Sequence, residues 1–480
     1  MLIFGVGVIL VRASAFLLIP LYTHYLSVCE FGLLSTMQAT MEIIFVVMHL
    51  GLRTAILRFA GDYADRGQSG TLLASAVLVN LVSGALVTGL AVLALGPLFA
   101  AMLHIADAAV YVFLACAAAL SGSIFFVLIS HYRATNQGLK YIAATLACVL
   151  LQIVITAAAV IMLSAGVKGV LISNLAANGL VATVLAGLLL PGTGLRISRE
   201  ATQQLVWFGF PLILSMSGSL ITEVSTLYIL GYVGSMEDVA LYSLGNKLAM
   251  VIYILVVSPF QIAYEPFVFG HIHEAEGQRA VGRILTYLLL VFMAAALGLV
   301  VAGKFMLPLI APSNYADAFR IMMLLLPAVA FTGVFYVGEA LLTAAQRTRA
   351  LAGFVTTFMV ICIGLNIAVI PFLGVTGAVL TRNLVSGVRA LWVVHEGRRS
   401  YPFPLEWKRI MICVAFGGGT LALALALERQ PAWMLVLSVG LMGAGALAYL
   451  YRSRFLAPAE KEVVWRAMRR IAGDRSDDRN

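Results

Sequence analysis

Gly166-Val-Lys-Gly169 followed by Asn174-Leu175, and Gly374-Val-Thr-Gly377 followed by Asn383-Leu384, are the two stretches on which the architecture turns. They lie about 208 residues apart, each at the head of an apolar run. Other matches keep nearly the same offset. Tyr25-Leu-Ser-Val-Cys-Glu30 lines up with Tyr232-Val-Gly-Ser-Met-Glu237. After one inserted residue, Ser35 meets Ser243 and Gln38 meets Asn246; further on, Gln137 and Lys140 meet Gln346 and Arg349. Matches that recur at the same places relative to the apolar runs indicate a duplicated chain.

The runs between these marks read as membrane spans. The chain has 480 residues, 62% hydrophobic and 11% charged, with mean hydropathy +1.00. A soluble domain carries about 25% charged residues, so this surface cannot be coated for water. A spanning helix needs roughly 20 apolar residues. Runs near 2–22, 32–52, 71–96, 108–130, 141–164, 169–190, 205–231, 239–264, 284–303, 321–344, 351–372, 375–395, 409–427 and 432–451 predict an all-α, polytopic protein of about 14 transmembrane helices. The repeat offset covers six spans, an even number, so the second copy enters the membrane in the same direction as the first. That is a parallel repeat, whose binding sites lie at the repeat interface. The predicted layout is an N-terminal six-helix lobe (1–195), a second six-helix lobe (200–400), an appended helix pair (405–451) and a tail (452–480).

Lys and Arg set the orientation, because basic loops stay cytoplasmic. Alternate loops carry Arg53, Arg58 and Arg66; Arg133 and Lys140; Arg196 and Arg199; Arg279 and Arg283; Arg347 and Arg349; Arg398, Arg399 and Lys408. Both termini are therefore expected in the cytoplasm. The net charge of +9 reflects these loops, not a nucleic-acid partner. The first run has neither a basic n-region nor a small-residue cleavage site and reads as a retained helix. Five scattered cysteines without a CxxC pair suggest neither disulfides nor a metal site. His271-Ile-His273-Glu274 reads as a solvated loop. There is no Walker A motif, no GxSxG and no paired catalytic constellation, so no enzyme and no cofactor is expected.

Charges inside a span are costly and usually face a bundle interior or a wet cavity. Gln38, Glu42, His49 and Arg53 share a face of span 2, and Arg382, Ser386 and Arg389 share a face of span 12. Span 7 carries Ser215, Ser219, Thr222, Glu223 and Thr226; Arg12 lies in span 1 and Lys247 in span 8. Spans 1, 2, 7 and 8 are repeat counterparts, so their polar faces suggest one central cavity. Arg12, Lys247, Arg382 and Arg389 would supply positive potential to a diphosphate or acidic sugars. Gln38 and Asn246 join them as substrate-binding candidates. Glu42 and Glu223 would pair with the cations or take up a proton. The alternative is structural ion pairs between helices, or side chains that snorkel to an interface.

Arg12-Ala-Ser-Ala-Phe16, Ile19-Pro-Leu-Tyr-Thr23, Tyr25-Leu-Ser27 and Glu30-Phe-Gly-Leu33 resemble the first helix and following loop of polysaccharide (Wzx-type) flippases. Gly51-Leu52, Ala55-Ile-Leu-Arg-Phe59, Glu265-Pro-Phe267 and Gly374-Val-Thr-Gly-Ala378 extend the resemblance across the chain, within the multidrug/oligosaccharidyl-lipid/polysaccharide exporter superfamily. The resemblance implies transport of a polyprenyl-pyrophosphate-linked oligosaccharide from the cytoplasmic to the periplasmic leaflet of a bacterial inner membrane. It implies lobes that rock around a cavity, and helices 13 and 14 helping to form a groove for the lipid tail. Membrane lipids, a polysaccharide polymerase and glycosyltransferases are the implied partners. Two other functions stand beside it: a drug/cation antiporter of the same superfamily, and a non-transporting scaffold of a polysaccharide assembly complex. Cations at depth at least match the acids, which favours an anionic substrate.

Overall fold

The computed structural model describes residues 16–103, 107–191 and 196–452. Among them every regular element is helical. In chain order these are α1 (Ile19–Tyr25), α2 (Val28–His49), α3 (Leu52–Asp65), α4 (Ser69–Leu103), α5 (Ala108–Ala134), α6 (Gly138–Ala157), α7 (Gly166–Leu189) and α8 (Arg199–Val233). Then follow α9 (Met236–Ile252), α10 (Ser258–His271), α11 (Ala275–Ile310), α12 (Asp317–Ala344), α13 (Thr348–Ser400), α14 (Trp407–Ala426) and α15 (Ala432–Arg452). Ten described helices are long and apolar enough to cross a membrane, and Leu220–Val233 and Ala432–Gly445 are shorter apolar helices. Exposed Leu, Val, Phe and Trp side chains stud their outer faces, as lipid requires. The protein is an all-α, multi-pass membrane protein.

Residues with positive φ mark where these helices break. α13 covers 53 residues, roughly 80 Å of helix against a hydrocarbon core of about 30 Å. It is two spans joined at Gly374 (φ 54°, ψ −134°), where the backbone leaves the helical region. Gly166, its counterpart in the repeat, has φ 55°, a conformation that glycine adopts without Cβ strain. Span 2 does not stop near residue 52. Leu50 (φ 48°) and Gly51 (φ 62°) break it, and α3 carries the helix on to Asp65.

The break at Leu50–Gly51 is held by a buried polar latch. Arg53 N–H donates to His49 Nε2 at 3.1 Å. That acceptor role makes His49 Nδ1 the donor, and it reaches Ser123 Oγ at 2.9 Å. Asn80 Nδ2 also donates to Ser123 Oγ (2.6 Å), and Ser83 Oγ donates to Met48 O (2.7 Å), a carbonyl that the broken helix frees. His49→Ala should therefore lower stability by about 1–3 kcal/mol, the penalty for leaving buried groups unsatisfied. A thermal melt of the purified protein checks this, with His49→Gln expected to lose less.

The repeat is also visible in backbone geometry, and it corrects the alignment. Ser27 and Glu30 cap α2 reciprocally: Ser27 N–H donates to Glu30 Oε2 at 2.9 Å and Glu30 N–H to Ser27 Oγ at 3.2 Å. Ser235 and Asp238 do the same for α9, at 3.1 Å in both directions. Glu30 thus matches Asp238, not Glu237, and no residue need be inserted before Ser35. Asn136 (φ 55°) and Gln346 (φ 56°) occupy the same left-handed turn position, so Gln137 matches Arg347.

The chain forms two compact units. The first comprises Met1–Lys247, Leu307–Ile321 and Thr348–Ser386. Its apolar core gathers Leu52, Ile56, Leu73, Phe125, Leu128, Tyr141 and Leu205. The second comprises Leu248–Met306, Met322–Arg347 and Gly387–Asn480, with Tyr264, Val268, Leu285, Val337, Leu341 and Phe403 at its core. There, Glu406 accepts from Thr286 Oγ1 (2.9 Å) and Arg409 (3.1 Å), tying the start of α14 to α11.

Candidate functional site

Within the first unit, α2, α8 and α9 enclose a small polar cavity of about 80 Å³. Helical spacing puts Ser35, Gln38 and Glu42 on one face of α2, and Ser243, Asn246 and Lys247 on α9 face the same space; α8 supplies Glu223. Lys247 Nζ donates to Gln38 Oε1 at 3.1 Å and lies 5.1 Å from the Phe31 ring centroid. Asn246 Nδ2 donates to Glu223 Oε1 at 2.9 Å. Glu42, Glu223 and Lys247 are within electrostatic reach of one another.

The cavity carries the internal symmetry of the chain. Ser35 and Ser243 are counterparts, as are Gln38 and Asn246, and all four line it. Both serine hydroxyls are buried without a hydrogen-bond partner among the described residues. Buried polar groups are normally satisfied, so these two are available to water or a ligand. The space suits a few waters as it stands.

The structure thus brings together Gln38, Glu42, Glu223, Asn246 and Lys247. Arg382 joins them through Tyr242, whose OH accepts from its Nη1 at 3.5 Å, and is in electrostatic reach of Glu223. Two carboxylates then face two cations. Arg389 belongs elsewhere: it lies in the second unit with its Cζ 4.4 Å from the Phe335 ring centroid, and does not share a cluster with Arg382. Arg53 leaves the expected face of span 2, because the break at Leu50–Gly51 precedes it; His49, the last residue of α2, keeps its helical phase but engages Ser123 and does not line the cavity. Arg12 and the side chains of Ser215 and Ser219 lie outside the described residues. Thr222 and Thr226 donate back to carbonyls of their own helix at 3.0 Å. Phe31, Ser35, Ser243 and Tyr242 join the site beyond the sequence candidates; the repeat match of Ser35 with Ser243 is the signal for two of them. Among the described residues no group of three or more metal-binding side chains occurs.

The second unit holds a larger cavity of about 450 Å³ between α11, α12, the second half of α13 and α14. Its walls are aliphatic and aromatic, with Leu289, Phe292, Leu326, Phe331, Leu391 and Val414 among them. Even Thr420 donates its hydroxyl to Phe416 O at 2.6 Å, on its own helix.

The polytopic helical fold is shared with solved transporters of the multidrug/oligosaccharidyl-lipid/polysaccharide exporter superfamily. The lipid II flippase MurJ in an inward-closed conformation superposes with TM-score 0.74 over 95% of this chain and 100% of that one, at 12% identity. An inward-facing multidrug resistance transporter of the MATE family gives 0.67 over 81% and 94%, at 16% identity. A superfamily transporter from Pyrococcus furiosus gives 0.51 over 81% and 94%, at 17% identity. Residues 1–269 match the family described as polysaccharide biosynthesis protein, and the chain belongs to that family. No curated protein matches the sequence significantly.

Proposed function

We propose that this protein flips a polyprenyl-diphosphate-linked oligosaccharide from the cytoplasmic to the periplasmic leaflet of a bacterial inner membrane, supplying surface polysaccharide synthesis such as that of the O-antigen of lipopolysaccharide. The cavity of Gln38, Glu42, Glu223, Asn246 and Lys247 carries this reading. Lys247 and Arg382 supply point and fork cations for phosphate oxygens. An arriving diphosphate takes over these cations, and Glu42 and Glu223 then need other partners or a proton. Arg12 of span 1 adds a third cation in this reading, and Arg389 acts in the second unit. A long apolar tail needs a dry seat, and the 450 Å³ groove meets that need. The six-plus-six-plus-two organisation (1–195, 200–400, 405–451, with 452–480 as tail), alternating access of the lobes and cytoplasmic termini belong to the same proposal. Polymerase and glycosyltransferases are the partners it implies.

A deletion strain tests it: surface glycan should be lost and lipid-linked oligosaccharide should accumulate. The fold shared with a MATE transporter supports one second reading, a drug/cation antiporter. Drug sensitivity with unchanged surface glycan would select that reading and reject ours. The groove has its own test. A Cβ added at Gly418 on α14 would meet no atom within 4 Å, and Gly418 lines the groove. Gly418→Trp should therefore fill it without disturbing the helix, lowering glycan export about tenfold while the protein accumulates normally. Unchanged export would remove the groove from the mechanism.

A further inference from the structure

A second charged cluster, in the second unit, has no part in the cavity described above. Glu265 lies on α10, Glu339 on α12 and Arg389 on the second half of α13. All three sit towards the C-terminal ends of alternate spans, which run in one direction, so they share one side of the membrane. Glu339 is in electrostatic reach of both Glu265 and Arg389. Aromatic side chains complete the group. Arg389 covers the Phe335 ring, Phe335 meets Tyr336 edge-on at 5.9 Å, and the Tyr336 hydroxyl is 3.2 Å from that of Tyr253. Tyr253 opens a π-helical turn, Tyr253–Val257, that resets the phase of the chain between α9 and α10.

The fold does not require this polarity. Through the repeat offsets marked by the shared backbone turns, Arg389 falls on Val181, Glu339 on Ile129 and Glu265 on Leu57. All three counterparts are apolar, and Ile129 and Val181 are buried in the core of the first unit. The second copy thus carries two carboxylates and a guanidinium where the first has apolar side chains. Carboxylates only accept hydrogen bonds and a guanidinium only donates. Together they match a ring of hydroxyls that do both, and the aromatic faces suit the C–H faces of the same ring.

We propose that Tyr253, Glu265, Phe335, Tyr336, Glu339 and Arg389 form a carbohydrate-binding subsite that takes a hydroxyl-rich sugar residue of the transported glycan. The proposal rests on the flippase reading and adds to it a place where the sugar, not the diphosphate, is recognised. The test uses full-length protein in nanodiscs and two probes: undecaprenyl diphosphate, and the lipid-linked oligosaccharides extracted from cells lacking this protein. Wild type should bind the sugar-bearing lipid more tightly. The double variant Glu265→Gln/Glu339→Gln should lose about tenfold of that preference, as expected for a lost hydrogen bond to a charged group, and keep its affinity for bare diphosphate. Tyr253→Leu, which keeps all charges, should lower the same preference. A retained preference, or an equal loss for both probes, overturns the subsite. Wild type that binds neither probe overturns the flippase reading and the subsite with it. Thermal melts of each variant separate these outcomes from misfolding.

Discussion

Lys247→Ala should cut export of the surface glycan at least tenfold while the protein still accumulates in the membrane. Lys247 is the cation of the polar cavity: its ammonium holds Gln38, stacks over Phe31 and faces Glu42 and Glu223. Alanine removes that charge and leaves two carboxylates with Arg382 as their described counter-ion. A charge-assisted hydrogen bond is worth about 1.5–3 kcal/mol, which corresponds to roughly ten- to 150-fold in affinity for a phosphate. Lys247→Arg keeps the charge and should retain part of the activity; Lys247→Gln should not. Surface glycan is read against membrane-protein level in a complemented deletion strain. Normal glycan in the Lys247→Ala strain would remove this residue from substrate binding.

Gly32→Val should fail to accumulate as folded protein, with an expected loss of about 3 kcal/mol or more for a clash that only main-chain movement relieves. Gly32 faces the start of α9, where an added Cβ would overlap the carbonyl oxygen of Met236. That carbonyl cannot simply turn away, because the Ser235–Asp238 capping box pins the first turn of α9. Accommodation requires α2 and α9 to separate, and the same separation stretches the 3.1 Å bond from Lys247 to Gln38. Gly32→Ala should show the same effect in weaker form. Fluorescence-detected size-exclusion chromatography of the tagged protein measures it; a monodisperse, normally abundant Gly32→Val variant would contradict the close approach.

Both predictions concern α2 and α9, and these helices show what was legible beforehand. Ser35 with Ser243 and Gln38 with Asn246 were readable as matched pairs, since a duplication preserves residue type at corresponding positions. Gln38 and Asn246 were legible as site candidates, Ser35 and Ser243 only as a repeat match; all four line one cavity. Arg53 shows the opposite case. Helical phase assigned it to the face of Gln38, Glu42 and His49, but phase holds only along an unbroken helix. Two left-handed residues after His49 end it, and nothing in Leu50-Gly51 alone announces that Ser123, Asn80 and Ser83 are in place to stabilise such a break. Arg382 and Arg389 illustrate a different limit. They do share a helix face, yet the partners of each come from other helices, Tyr242 for one and Phe335 for the other.

The sequence by itself determined the membrane, the helices and the duplication. These depend on composition, on the length of apolar runs and on local turn residues such as Gly166 and Gly374, all properties of contiguous chain. The rest came from tertiary contacts: the register of the repeat to the residue, the helix break at Leu50–Gly51, the seating of Arg389 over Phe335, and the apolar groove beside α14. Each of these depends on which side chains from distant helices meet. In a medium where every buried polar atom must find a partner inside the protein, that choice of neighbours decides which charges gather into a site.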